Sequence, residues 1–136
     1  MFERNKLDGA FRESEQRYRK IFEQLPDSVL LINIDNGTFS DFNDRACESL
    51  GYSREEFKKL RLSDIEVIES ESEIIQHMAE IVQRDGDHFK TKHRAKNGNL
   101  HDVMVSTKVV CIDGRKCIQS IWTDISSKKK SENALR

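Results

Sequence analysis

The sequence predicts an α+β fold built on a five-stranded antiparallel sheet. Three observations carry that expectation. Residues 87–124 hold two tight-turn signals, Asn97-Gly98 and Asp113-Gly114, each between strand-like runs. Such dipeptides supply the positive φ angles that hairpins need. A second pair of strand-like runs flanks Asp35-Asn36-Gly37, and residues 43–86 between the two groups read as helices. If all five strands join, short helices cover one face of a single sheet.

The elements follow in order. Leu7, Phe11, Tyr18, Ile21, Phe22 and Leu25 fall near helical spacing, which predicts an amphipathic helix ended by Pro26. Leu7, Phe11, Tyr18 and Leu25 also fit a heptad, so this helix is a candidate for pairing with a second copy. Residues 28–34 (SVLLINI) read as a largely buried strand, and residues 38–42 as its return strand. Asn43 or Asp44 caps a short helix through Leu50, with Gly51 at its end. Ser53 and Glu56 form a capping-box pattern for a helix through Leu60, and Ser63-Asp64 starts one more turn. Residues 70–84 form the longest central helix, with Ile74, Ile75, Met78, Ile81 and Val82 as its apolar stripe and Gly86 closing it.

Strand alternation tests the two later turns. A two-residue Asp113-Gly114 turn pairs Val109 with Ile118 and Val105 with Trp122, apolar with apolar. A two-residue Asn97-Gly98 turn sets Lys92 against Val103. A three-residue Lys96-Asn97-Gly98 loop instead turns Phe89, Thr91 and His93 inward and opposes His93 to His101.

The chain divides into an N-terminal helix (1–25), one domain (26–126) and the start of an exit helix or linker (127–136). The near balance of 23 basic and 24 acidic side chains argues against nucleic-acid or membrane-surface attraction. No apolar run approaches the roughly 20 residues needed to span a bilayer, and the polar N-terminus lacks a signal-peptide pattern. Three cysteines, Cys47, Cys111 and Cys117, lack metal spacing and suit a reducing cytoplasm. The Asp113-Gly114 register points the Cys111 and Cys117 thiols to opposite faces. No nucleophile elbow, Walker loop, HExxH or dinucleotide fingerprint is present, so no catalytic residue is assigned.

Four blocks carry a family resemblance: SEQRYRKIFEQLPDSVLLIN (14–33), FNDRACESLGYSREEF (42–57), AKNGNLHDVMVS (95–106) and IQSIWTDIS (118–126). Together they resemble the PAS sensor-domain family with its C-terminal motif, and the closing Asp-Ile-Ser stands where the family usually has Asp-Ile-Thr. The resemblance implies a cytoplasmic, often dimeric bacterial module that binds a small molecule or a partner. It implies an output partner, a histidine kinase or a diguanylate cyclase. The residue two before the motif Asp, here Trp122, is expected in the ligand cavity, as a core filler or as an aromatic wall. Candidate cavity residues are Leu30, Ile32, Phe42, Phe57, Ile74, Met78, Val103, Val105, Ser120 and Trp122. Asp124, Ile125 and Ser126 are the candidate signal exit, and Leu7, Phe11, Tyr18, Phe22 and Ile121 the candidate dimer interface. His77 occupies the helix that carries the haem ligand in some members, but its neighbours match no haem motif. The light-sensing branch has Asn-Cys-Arg-Phe-Leu where this chain has residues 61–65, with Leu62 in place of the cysteine. No cofactor is therefore assigned, and no metal. The alternative reading is a structural interaction module whose core is filled by Trp122.

Overall fold

A computed structural model describes residues 16–17 and 19–126. The first helix, α1, is described over residues 19–24. After it come β1 (Ser28–Asn33), β2 (Phe39–Phe42), α2 (Asp44–Glu48), α3 (Arg54–Lys58), α4 (Leu62–Ile65) and α5 (Glu71–Arg84). Then β3 (Asp87–Arg94), β4 (Leu100–Ile112) and β5 (Arg115–Asp124) close the fold. The five strands form one antiparallel sheet in the order β2-β1-β5-β4-β3, as the sequence predicts. The last strand sits at the centre, between β1 and β4, so the sheet closes only when distant parts of the chain meet.

Both turn assignments agree with the structure. Asp113 (φ 50°) and Gly114 (φ 75°) form the two-residue turn that opposes Val109 to Ile118 and Val105 to Trp122. In the first hairpin Phe89 opposes Val105, Thr91 opposes Val103 and His93 opposes His101, which leaves a three-residue loop. Cys111 opposes Lys116 and Val110 opposes Cys117, so the two thiols lie on opposite faces. The free edge of β3 is partly covered by the segment after α4, where the Val67 N–H donates to the Lys92 carbonyl at 3.0 Å.

Capping chemistry fixes the helices. Asn43 caps α2, and Ser53 with Glu56 forms a reciprocal box at α3. Ser70 and Glu73 form the same box at α5, so the serine-to-glutamate spacing marks both helix starts. The turn expected at Ser63-Asp64 starts one residue earlier, at Leu62, because the Asp64 carboxylate accepts the Arg61 N–H at 2.7 Å. After α5 ends at Arg84, Asp85 takes the left-handed conformation (φ 61°) and the Gly86 N–H donates to the Ile81 carbonyl at 3.0 Å, so Gly86 helps close the helix as expected. Gly86 also permits a close approach, since a Cβ there would stand 2.8 Å from the Thr107 carbonyl oxygen of β4.

Leu30, Ile32, Phe39, Phe42, Phe57, Ile65, Met78, Val105, Ile118 and Trp122 are buried between the sheet and helices α2–α5. Cys47 is buried among them as a small filler. The expected α5 stripe is one residue too wide, since Ile74, Met78 and Ile81 are buried but Ile75 is 57% exposed. Positions 74, 78 and 81 already follow the helical period, and 75 falls on its solvent flank. On α1, Phe22 is buried whereas Ile21 and Leu25 are exposed. Leu7, Phe11 and Tyr18 lie outside the described residues.

Asn43, fully buried, joins three segments. Its Oδ1 accepts the N–H groups of Val29 (3.0 Å) and Ala46 (3.1 Å). Its Nδ2 donates to the carbonyls of Phe22 (3.2 Å) and Asp27 (2.9 Å). Removing such an amide strands several buried partners, each worth about 1–3 kcal/mol when left unpaired. Asn43→Ala should therefore lower unfolding stability by about 3 kcal/mol or more. Urea unfolding measures this, and a loss no larger than a surface substitution would refute the role.

Candidate functional site: an interior cavity, an open cleft and a clamped strand end

The interior cavity between the sheet and α5 is small, about 30 Å³. That is room for a water or two rather than a cofactor. Of the expected residues, Ile32, Ile74, Met78, Val105, Ser120 and Trp122 line it. Leu30, Phe42 and Phe57 are buried in the packed core beside it, and Val103 faces the cleft described below. The aromatic side chains explain the size. Phe39 stacks on Phe57 at 4.7 Å, Phe42 meets Phe57 edge-on at 4.9 Å, and Trp122 meets Phe39 edge-on at 5.9 Å. The Trp122 indole N–H donates to Ser120 Oγ at 2.9 Å, so this wide side chain is buried with its polar atom satisfied. Leu62, where the light-sensing branch has its cysteine, is one of the cavity's apolar walls.

Two polar side chains, Glu66 and His93, meet on the cavity wall. The Glu66 carboxylate is almost fully enclosed. It accepts hydrogen bonds from Thr91 Oγ1 at 2.7 and 2.8 Å and from the N–H groups of Ile68 (2.7 Å) and Glu69 (3.1 Å). Sequence reasoning missed Glu66. It follows a four-residue helix and meets Thr91 only through the folded chain, so no local signal marks it. His93 turns inward as strand alternation predicts. Its Nε2 lies 3.9 Å from the Glu66 carboxylate, beyond hydrogen-bond range, and its Nδ1 has no hydrogen-bond partner. Burial, with the nearby His101 adding to it and Asp124 opposing it, pushes His93 down to about 4. The ring is therefore neutral at ordinary pH.

His77 is differently placed. Its Nδ1 meets Glu69 at 2.9 Å and its Nε2 meets Asp87 at 2.7 Å, while the ring packs on Phe89. Burial works against its charge, but the two carboxylates prevail and raise its pKa above the ordinary value. Both ring nitrogens are engaged in tying α5 to β3, which leaves neither free to ligate iron.

An open cleft of about 420 Å³ lies at the end of the sheet where β5 leaves. Arg45, His93, His101, Val103, Trp122 and Asp124 are among its lining residues. Here the strand end is clamped. The Asp124 carboxylate meets His101 Nδ1 at 2.7 Å and accepts the Ser126 N–H at 2.8 Å. Ser126 Oγ accepts the Asp102 N–H at 2.9 Å, and the Ile125 N–H donates to the Asp102 carbonyl at 2.9 Å. Burial raises the Asp124 pKa, but the bonds from His101 and Ser126 outweigh it and hold the carboxyl below its usual value. The three expected exit residues are thus brought together on β4. Of the expected interface residues, Phe22 is buried within its own chain, and Ile121 stays partly exposed on the sheet face opposite the core.

A single antiparallel sheet with a helical layer on one face, a near-filled interior and a strand end bonded to its neighbour defines a small α+β sensory module. The chain belongs to the PAS domain family, whose sequence model matches residues 26–127. The PAS domain of an HTR-like protein from Haloarcula marismortui superposes with a TM-score of 0.81 at 20% identity, covering 89% of this chain and 99% of that one. A PAS domain from a two-component sensor histidine kinase gives 0.72 at 22% identity, covering 83% and 97%. In sequence, the chain is 30% identical over 127 residues to the methyl sulfide methyltransferase-associated sensor of Methanosarcina acetivorans. That stretch is 93% of this chain and 13% of the relative's length. Among the described residues, no helix is long and apolar enough to cross a membrane.

His77 and His93 give opposite pH dependences. The His77 pKa is raised in the folded state, so its stabilisation is complete below about pH 6.5 and is lost as pH rises through the folded value. The His93 pKa is depressed, so the unfolded chain gains a proton that the folded chain does not, and stability falls as pH drops from about 6.5 toward 4. In urea unfolding, His77→Gln should cost most near pH 6 and progressively less as the pH rises above that. His93→Gln should flatten the loss between about pH 6.5 and 4. Identical pH slopes in the variants and the parent would show that neither ring contributes.

Proposed function

We propose that this chain is the sensory and dimerising input module of a larger signalling protein, whose output is a histidine kinase or a diguanylate cyclase. The state of the cleft, the cavity or a subunit interface biases the strand-to-exit junction at Asp124, Ile125 and Ser126. The observation that carries this reading is that His101 and Asp124 belong both to the cleft wall and to the clamp on the strand end. A molecule or a partner that moves the cleft wall thereby acts on the segment leading to the output domain. The partly exposed Ile121 face and the described part of α1 supply the surface for a homodimer, and Leu7, Phe11 and Tyr18 stay candidates for it on their heptad spacing alone. A cytoplasmic location accords with the three free thiols. The module does no chemistry of its own. In the full-length protein, Asp124→Ala should change output activity about fivefold or more, in the range of ordinary coupling energies. Unchanged output would remove the junction from the mechanism.

The second reading is a structural interaction module without a ligand. The near-filled interior favours it, with Trp122 and the Phe39–Phe57–Phe42 cluster occupying the space. Native mass spectrometry of protein purified from cells separates the two and reports dimerisation at once. A stoichiometric added mass on a dimer is the result expected for the sensory reading, and a bare dimer the result expected for the structural one. A bare monomer at micromolar concentration counts against the dimerising role in both.

A further inference from the structure

The cleft and the interior cavity share a wall. His93 and Trp122 line both spaces, and their rings stand edge-on with centroids 4.4 Å apart. On the interior side the lining is mostly aliphatic and aromatic, including Ile32, Met78 and Phe89. On the cleft side charged and polar side chains, Asp27, Arg45, His101 and Asp124 among them, are mixed with apolar ones such as Leu50 and Val103.

The charges at the cleft divide into two sets. Asp124 is already engaged by His101 and Ser126. Arg45 and Asp27 line the same cleft with opposite charges. Among the described residues, neither side chain makes an ion pair or a hydrogen bond, to the other or to any third group. The wall itself holds an unpaired group, since His93 is 1% exposed and its Nδ1 has no hydrogen-bond partner. Buried polar atoms are normally satisfied, and among the described residues this is the one buried side-chain polar atom without a partner.

We propose that the cleft is a binding site for a small zwitterion with an apolar side chain, of the size and charge of an apolar α-amino acid. Its carboxylate pairs with Arg45 and its ammonium with Asp27, the two lining charges without a partner among the described residues. Its side chain lies against Val103 and Trp122, and parting the His93–Trp122 wall extends the site toward the interior. Neither an apolar anion nor an apolar amine satisfies both charges, which sets this class apart from either alone. The inference rests on the sensory reading and names the ligand class for it, because the same cleft carries the His101–Asp124 clamp.

Trp122 is the single tryptophan of the chain, so its fluorescence reports directly on the wall. The full chain is titrated with leucine, methionine and phenylalanine, and in parallel with isocaproate and isoamylamine, which lack the ammonium and the carboxylate respectively. A saturable change in tryptophan emission is expected with at least one amino acid, and about tenfold or weaker binding by the two truncated analogues. Arg45→Gln and Asp27→Asn should each weaken that binding about tenfold or more. Both replace unpaired side chains at the mouth, and an unchanged ligand-free emission spectrum certifies their fold. The proposal is overturned if no amino acid gives a saturable response, if isocaproate or isoamylamine binds as well, or if both variants bind like the parent. Failure here with Asp124→Ala still altering output would leave the sensory reading standing and remove only this ligand class.

Discussion

Asn43 is the constraint on which the rest of the molecule depends. Its four side-chain hydrogen bonds tie the end of α1, the start of β1 and the first turn of α2 to one fully buried amide. A primary amide suits the position because it offers two donors and a two-lone-pair acceptor, and all four sites are used. Around it, Arg54 reaches Asp44 at 2.6 Å and Glu23 at 3.6 Å and lies over the Phe42 ring at 4.6 Å. The helical layer is thereby fixed to the sheet at one end, and the other elements pack outward from that corner.

The central place of β5 has a mechanical consequence. β5 pairs with β1 along one side and with β4 along the other, so displacing its end strains two ladders. Residues of β5 face the interior, line the cleft and close the exit junction within a span of seven positions, from Ile118 to Asp124.

Three histidines illustrate how environment gives one kind of side chain different roles. His77 is held between two carboxylates and favours its charged form. His93 is enclosed beside Trp122 and stays neutral. His101 sits at the cleft, bonded to Asp124. The first ties a helix to the sheet, the second divides two cavities, and the third closes the strand end.

The sequence by itself determined the five strands, both later hairpin registers, the Ser53–Glu56 capping box and the inward placement of Trp122. These are local matters, because turn dipeptides, capping patterns and alternation act over two to four residues. Family resemblance also singled out Asp124, Ile125 and Ser126, as a candidate signal exit. Only the tertiary structure decided that β5 takes the centre of the sheet, that Glu66 is enclosed against Thr91, and that His77 bridges Glu69 and Asp87. It likewise decided that Ile75 faces solvent and that the interior shrinks to about 30 Å³. Each of these outcomes depends on contacts between residues far apart in the chain, or on how tightly unlike rings fit together, and neither has a local pattern to read.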